Sequence, residues 1–267
     1  MKLPFLACAI LTGIHVYLGL HVIQRGIIFV DLALAQVAAL GATLGMLVGY
    51  GLHTTQNYFI SLAFTLLGAA AFALTRLRKP LVPQEALVGI VYAVAAAGAI
   101  LVLSRAPEGS EELQALLVGH LLFVDWPEIA KIFGLYSVIG VLHWMVRKPL
   151  LLISHNPERA FQEGRHVRWW DFVFYATFGV VVTSSVDLAG VLLVFSFLIV
   201  PSVCAVFLAR GVGARLFVGW FCGIMTSVAG IIASYQWDLP TGATVVCAFG
   251  ICLIVCAGLR LGLGERT

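Results

Sequence analysis

The sequence predicts an all-α, polytopic integral membrane protein with about nine transmembrane helices, and three observations predict it. Hydrophobic residues make up 61% of the 267-residue chain and charged residues only 11%, whereas a soluble domain carries about 25% charged residues. The apolar runs are about 20 residues long, the length a helix needs to cross the hydrocarbon core. They also lack the strict alternation of barrel strands.

The first run, beginning MKLPFLACAILTG, imitates a signal peptide or a lipoprotein cysteine at Cys8. Its apolar character continues past any cleavage point, so it is read as the first span. Nine spans are expected, at 3–24, 27–50, 58–75, 83–104, 128–146, 170–187, 189–209, 215–234 and 240–259. The apolar piece Leu113–Val124 is too short to cross; closed by Asp125-Trp126-Pro127, it reads as a re-entrant or surface helix. Residues 1–267 are expected to form a single transmembrane domain without a second, soluble one.

Orientation follows from the positive-inside rule. With the N-terminus outside, the cytoplasmic loops hold Arg25, Arg76, Arg78, Lys79, Arg147, Lys148, Arg159, Arg165, Arg168, Arg210, Arg215, Arg260 and Arg266, which is 13 of the 16 basic residues. Lys2, Arg105 and Lys131 fall on the outer side, with Glu108, Glu111 and Glu112. The expected topology is therefore N-terminus outside and C-terminus in the cytoplasm. The net charge of +3 is scattered over loops and gives no nucleic-acid surface.

Within this frame the stretch His15–Gly49 concentrates polar groups. A charged group at the bilayer centre costs roughly 2.5–3.5 kcal/mol on insertion scales, so such groups face a protein interior or a path. Counted from the turn near Arg25, His21 and Asp31 share a shallow level, and His15 and Gln36 share one near mid-membrane. On a regular helix Asp31 and Gln36 lie about 140° apart, so they do not face one narrow path together. Each has a plainer reading: Asp31 as a helix-start residue, Gln36 and His15 as interhelical hydrogen-bond groups, His21 as an interfacial side chain. Gly41, Gly45 and Gly49, spaced four apart, read as a close-packing ladder.

The longest cytoplasmic loop, Lys148–Trp169, holds Asn156-Pro157 as a helix start and Gly164 as a stop. It is either a solvated connector or a short helix that docks a soluble partner. Pro201 falls inside the seventh span, where it removes a hydrogen bond and kinks the helix. Asp187 and Asp238 stand at outer helix ends, as capping residues before contacts for an external partner, and Asp238–Gly242 reads as a tight turn. His120 and His143 read as structural, and His53, His155 and His166 as solvated. All six cysteines lie in apolar runs, where a free cysteine acts as a small hydrophobe. Cys252 and Cys256 share a helix face, and a metal-ligand role for them stands behind that packing role. No P-loop, haem or disulfide motif is present, so no cofactor is expected and any ATP hydrolysis belongs to another chain.

Six segments in order carry a family resemblance: GLHVIQRGIIFVDLALAQVAALG (19–41), EALVGIVYAVAAAGAILV (85–102), LQALLVGHLLFV (113–124), NPERAFQEG (156–164), DLAGVLLVFSFLIVPSVCAVFLA (187–209) and DLPTGATVV (238–246). Together they resemble the membrane permease subunits of bacterial ABC importers for zinc, manganese and iron. The resemblance implies a homodimeric permease in the bacterial inner membrane, served by a cytoplasmic ATP-binding subunit and an extracytoplasmic metal-binding protein. NPERAFQEG resembles the family's D-P-E-x-A-x-x-x-G motif, which implies ATPase docking by Asn156, Pro157, Glu158, Ala160 and Gly164, with Asn156 where aspartate is common.

The chain departs from the family pattern in span two, where G-D-A-L-S-H is common. Aligned on Gly41, Gln36 takes the histidine position and Leu32 the aspartate position, while Asp31 falls one residue early. An amide oxygen is a poor zinc ligand, and His15 from the facing span is the expected replacement imidazole. The expected function is translocation of a divalent metal ion (Zn, Mn or Fe), with His15, His21, Asp31 and Gln36 along the route and no catalytic residue. The alternatives are a chelated or non-metal substrate on the same architecture, an intramembrane enzyme, or a structural subunit. Neither paired aspartates nor H-x-x-x-H occurs in the spans to support an intramembrane enzyme.

Overall fold

The computed structural model describes residues 2–51, 54–76, 82–104, 119 and 121–264. The described residues are helical, without strands. We number the helices α1 (Lys2–Arg25), α2 (Val30–Leu47), α3 (Thr55–Leu74), α4 (Gln84–Leu103), α5 (Trp126–Met145), α6 (Arg147–His155), α7 (Pro157–Gln162), α8 (Val167–Ala189), α9 (Val191–Leu208), α10 (Val212–Trp237) and α11 (Thr241–Gly264). Nine of them, α1–α5 and α8–α11, are long and apolar enough to cross a membrane. Their bounds fall within a few residues of the spans expected from the sequence. Leu121–Phe123 forms a 3-10 turn rather than part of a longer helix, and the rest of the expected 113–124 element, apart from Gly119 and Val124, lies outside the described residues.

The chain divides into two compact units. The first contains residues 1–23, 117–136 and 187–267. Its helices meet through small residues. A methyl group on Gly19 of α1 would collide with the Leu198 carbonyl and the Ser202 hydroxyl of α9. Ser202 Oγ donates to the Leu198 carbonyl at 2.7 Å and lies 3.2 Å from that of Val16. Gly219 and Gly223 bring α10 against Val16, Thr12 and Pro201, and Gly230 brings it against Val245 of α11. Pro201 lies inside α9, buried, as the sequence indicates. Without a hydrophobic force between helices in lipid, such close backbone approach is a main source of association.

The second unit contains residues 24–116 and 137–186. Here α2 packs on α3: a Cβ on Gly41 would meet Phe64 and Ser61, and one on Gly45 would meet Asn57. Ser61 Oγ donates to the Ala38 carbonyl at 2.8 Å. Gly49 is not part of this ladder. It takes a φ of +100° with open space around its Cβ position, so it serves the turn after α2. Thr65 of α3 meets Thr183 of α8, hydroxyl to hydroxyl, at 3.0 Å.

Candidate functional site

The expected route residues divide between the units. His15 and His21 belong to the first. His15 is fully buried; its Nδ1 is 2.8 Å from the Leu11 carbonyl one turn earlier, and its Nε2 makes no hydrogen bond. The ring stands edge-on to Tyr136 at 6.3 Å between centroids. His21 is buried against Tyr17 at 4.9 Å. Six residues apart on one helix, the two imidazoles point about 120° apart.

Asp31 and Gln36 belong to the second unit. Asp31 sits in the first turn of α2, buried, where the helix dipole favours a negative charge. Both carboxylate oxygens are buried without a hydrogen-bond partner, so the side chain does not cap the helix. Glu85, in the first turn of α4, lies near enough to repel it. Glu85 Oε1 accepts the Phe29 N–H at 3.1 Å, while Oε2 is left without a partner. Two carboxylates with orphaned oxygens therefore flank the start of α2. This is hard oxygen chemistry, suited to Mn(II) or Mg(II) more than to soft ions. Glu85 was not singled out from the sequence, where one acid at the head of an apolar run reads as a helix-start residue. Gln36 is half-buried on α2.

The second unit also holds a buried ionic hub. The Arg25 guanidinium pairs with Asp171 of α8, and both side chains are fully buried. Arg25 Nε also donates to Ser154 Oγ of α6 at 3.0 Å, and its plane lies over the Phe174 ring at 4.0 Å. Arg76 approaches the other Asp171 oxygen at 3.5 Å and donates to Gln84 Oε1 at 2.5 Å. Gln84 Nε2 in turn donates to the Tyr175 hydroxyl at 3.1 Å. A 280 Å³ cavity opens beside the hub, lined by Arg25, Arg76, Gln84 and Glu85 and by Pro157, Glu158 and Phe161 of the long loop.

That loop is built by local rules. Asn156 Oδ1 accepts the Arg159 N–H at 3.0 Å as the N-cap of α7, and Pro157 follows at the first helical position. At the far end Gly164 takes a φ of +70°. Its N–H donates to Phe161 and that of Arg165 to Ala160, which is the paired C-terminal closure that glycine permits. Ala160, fully buried, packs with Ile153 and Val167, while Asn156, Glu158, Arg159, Gln162 and Glu163 are exposed. The segment Arg147–His155, which leads into the part of the loop where the sequence marks a helix start, is itself a helix, α6; its proline lies in the first turn, where a missing N–H costs nothing.

His143 is buried and hydrogen-bonds Thr177 at 2.7 Å, while His155 and His166 are exposed. His53 and His120 lie outside the described residues. Asp187 stands inside the last turn of α8, so it is not a start cap. Asp238 closes α10 with its own backbone in the left-handed region (φ 51°), not by a capping side chain, before Thr241 starts α11.

Comparison with known proteins places these features in context. The family described as the ABC 3 transport family matches residues 1–259. The manganese transport system membrane protein MntC of Halalkalibacterium halodurans is 24% identical over 243 residues, covering 90% of this chain and 81% of its own length. A probable iron transport system membrane protein of Haemophilus influenzae is 24% identical over 251 residues, covering 92% and 90%. The fold is similar to that of a chain in the structure of PsaBC from Streptococcus pneumoniae in complex with Fab. The TM-score is 0.79 at 20% identity, over 96% of this chain and 90% of that one.

Proposed function

The chain belongs to the ABC 3 transport family, and from that premise we propose that it is the membrane permease of a bacterial importer for a divalent metal ion, Mn(II) or Fe(II) before Zn(II). The carrying observation is the family match over residues 1–259 on a frame of nine membrane-length helices. The names of the manganese and iron relatives, and the hard oxygen donors of Asp31 and Glu85, support the choice of ion.

In this reading residues 1–267 act as one permease domain in the inner membrane, N-terminus outside and C-terminus inside, and two copies form the pathway. ATP is hydrolysed by a separate cytoplasmic subunit, and an extracytoplasmic binding protein delivers the ion. The exposed side of α7, from Asn156 through Pro157 and Glu158, with Ala160 seating it and Gly164 ending it, receives the ATPase. Asp31 is the principal polar group of the route, with His15, His21 and Gln36 as further contributors.

Vesicles carrying the chain with its co-expressed ATPase provide the test. ATP-dependent uptake of radiolabelled Mn(II) is expected, reduced at least about tenfold in Asp31→Asn and less in His15→Ala and Gln36→Ala. Unchanged uptake in all three variants removes these residues from the route. Leu32 and Gln36, at the positions where the family commonly carries aspartate and histidine, favour one second reading, a chelated ion as cargo. Uptake of a metal chelate but not of the free ion decides for it.

A further inference from the structure

Four of the six cysteines gather in the first unit, on three helices. The Sγ atoms of Cys204 on α9 and of Cys252 and Cys256 on α11 all lie within 4.8 Å of one another. Cys222 of α10 neighbours Cys204 and Cys252 without belonging to the set within 4.8 Å. Thr226, one turn after Cys222 and buried, is a close neighbour of Cys252. Cys204 and Cys256 are buried and all four are free thiols.

The arrangement is more than a run of small core residues. On α11 the stripe Thr241, Val245, Phe249, Cys252 and Cys256 faces inward, and its last two turns present sulfur to the sulfur of α9. Around a tetrahedral ion with metal–sulfur bonds of about 2.3 Å, sulfurs stand about 3.8 Å apart. The observed spread of these three therefore needs up to about 1 Å of side-chain adjustment to reach ligand spacing, and Cys222, outside that spread, needs more. The donors are all thiols, whereas Mn(II) prefers oxygen; thiolates select Cu(I), Zn(II) and their soft analogues.

We propose that Cys204, Cys252 and Cys256, with Cys222 as the available fourth ligand, form a site for one soft d10 metal ion, separate from the cargo route. A divalent ion entering it displaces two thiol protons and a monovalent ion displaces one. Bound by that number of thiolates the loaded site carries no net charge in the apolar interior, and each further cysteine recruited as a ligand gives up its own proton and adds one negative charge. Thr226 is a positioning residue, its hydroxyl the available donor to the Cys252 thiolate once metal is bound. Bound metal ties α9, α10 and α11 together. The assignment rests on the sulfur geometry alone and stands whether or not the proposed cargo is correct.

The test titrates the full-length chain, purified in detergent under reducing conditions, with Cd(II) and with Cu(I) against a competing chelator, following the ultraviolet sulfur-to-metal charge-transfer band. One equivalent per chain, with proton release, is expected for at least one of the two ions. The band should disappear in Cys204→Ala and Cys252→Ala but persist in Cys247→Ala, which removes an exposed cysteine outside the cluster. Thr226→Val should weaken binding about tenfold or more without changing stoichiometry. Elution as a single species establishes that the alanine variants are folded. Absence of the band in the native chain overturns the site, as does its survival in both Cys204→Ala and Cys252→Ala. Loss of two thiols to a disulfide without metal uptake also overturns it.

Discussion

Each of the two compact units is held together within itself in its own way. In the first, helices meet where side chains are missing: Gly19, Gly219, Gly223 and Gly230 let backbones approach, and Ser202 spans the remaining gap. In the second, Gly41 and Gly45 do similar work for α2 and α3, but the end near α6 and α7 is organised by buried charge. The difference follows from what each region must satisfy. Apolar spans in lipid gain by close contact alone, whereas the last turn of α1 carries an arginine that needs a counter-charge once it is buried.

The contrast can be broken first at the ionic hub. Asp171→Ala leaves Arg25 buried without its partner and should cost about 3–5 kcal/mol, read as a fall in thermal stability of the purified chain. Replacing both partners by apolar residues, Arg25→Met with Asp171→Leu, should recover much of the loss. A single variant as stable as the native chain would show that the guanidinium escapes to water. In the other unit Gly19→Ala forces a methyl against Leu198 and Ser202, and a loss of about 1–3 kcal/mol is expected in the same assay.

Asn156→Ala should cost about 1 kcal/mol, confined to α7. Faster proteolysis or amide exchange across residues 157–162, with unchanged global unfolding, is the signature, and Asn156→Asp should restore protection. The smallest effect is expected at Gly13, whose Cβ position is open: Gly13→Ala should stay within about 0.5 kcal/mol of the native chain. Equal effects at Gly13 and Gly19 would show that backbone approach is not what holds the first unit.

What could be read from the sequence divides along the same line, between local and distant causes. The nine spans and the limits of α7 were legible because apolar run length, an Asn-Pro start and a glycine stop are written in consecutive residues. Asp171 passed unnoticed as one acid near the start of a span, since its partner is 146 residues away. Glu85 beside Asp31 was hidden for the same reason, with more than fifty residues between them. The thiol cluster was half visible: the spacing of Cys252 and Cys256 places them on one helix face, but only the packing of α9 and α10 adds Cys204 and Cys222. The glycine ladder was over-read by one position, because a repeat of four does not tell a packed Gly45 from a turn at Gly49.

The pairing of Arg25 with Asp171 also sets a timetable for biogenesis. Chain synthesis proceeds at about 5–20 residues per second, so roughly 7–30 s separate the appearance of the two residues. During that interval Arg25 has no Asp171 to meet, and its guanidinium stays hydrated at the membrane surface. Ser154 of α6 also precedes Asp171 in synthesis, and its hydroxyl cannot neutralise the charge. Emergence of α8 is then the event that draws Arg25 inward and fixes α6 beside it, so the surface around α6 and α7 is completed late, once the sixth membrane-length helix of the described residues begins to appear.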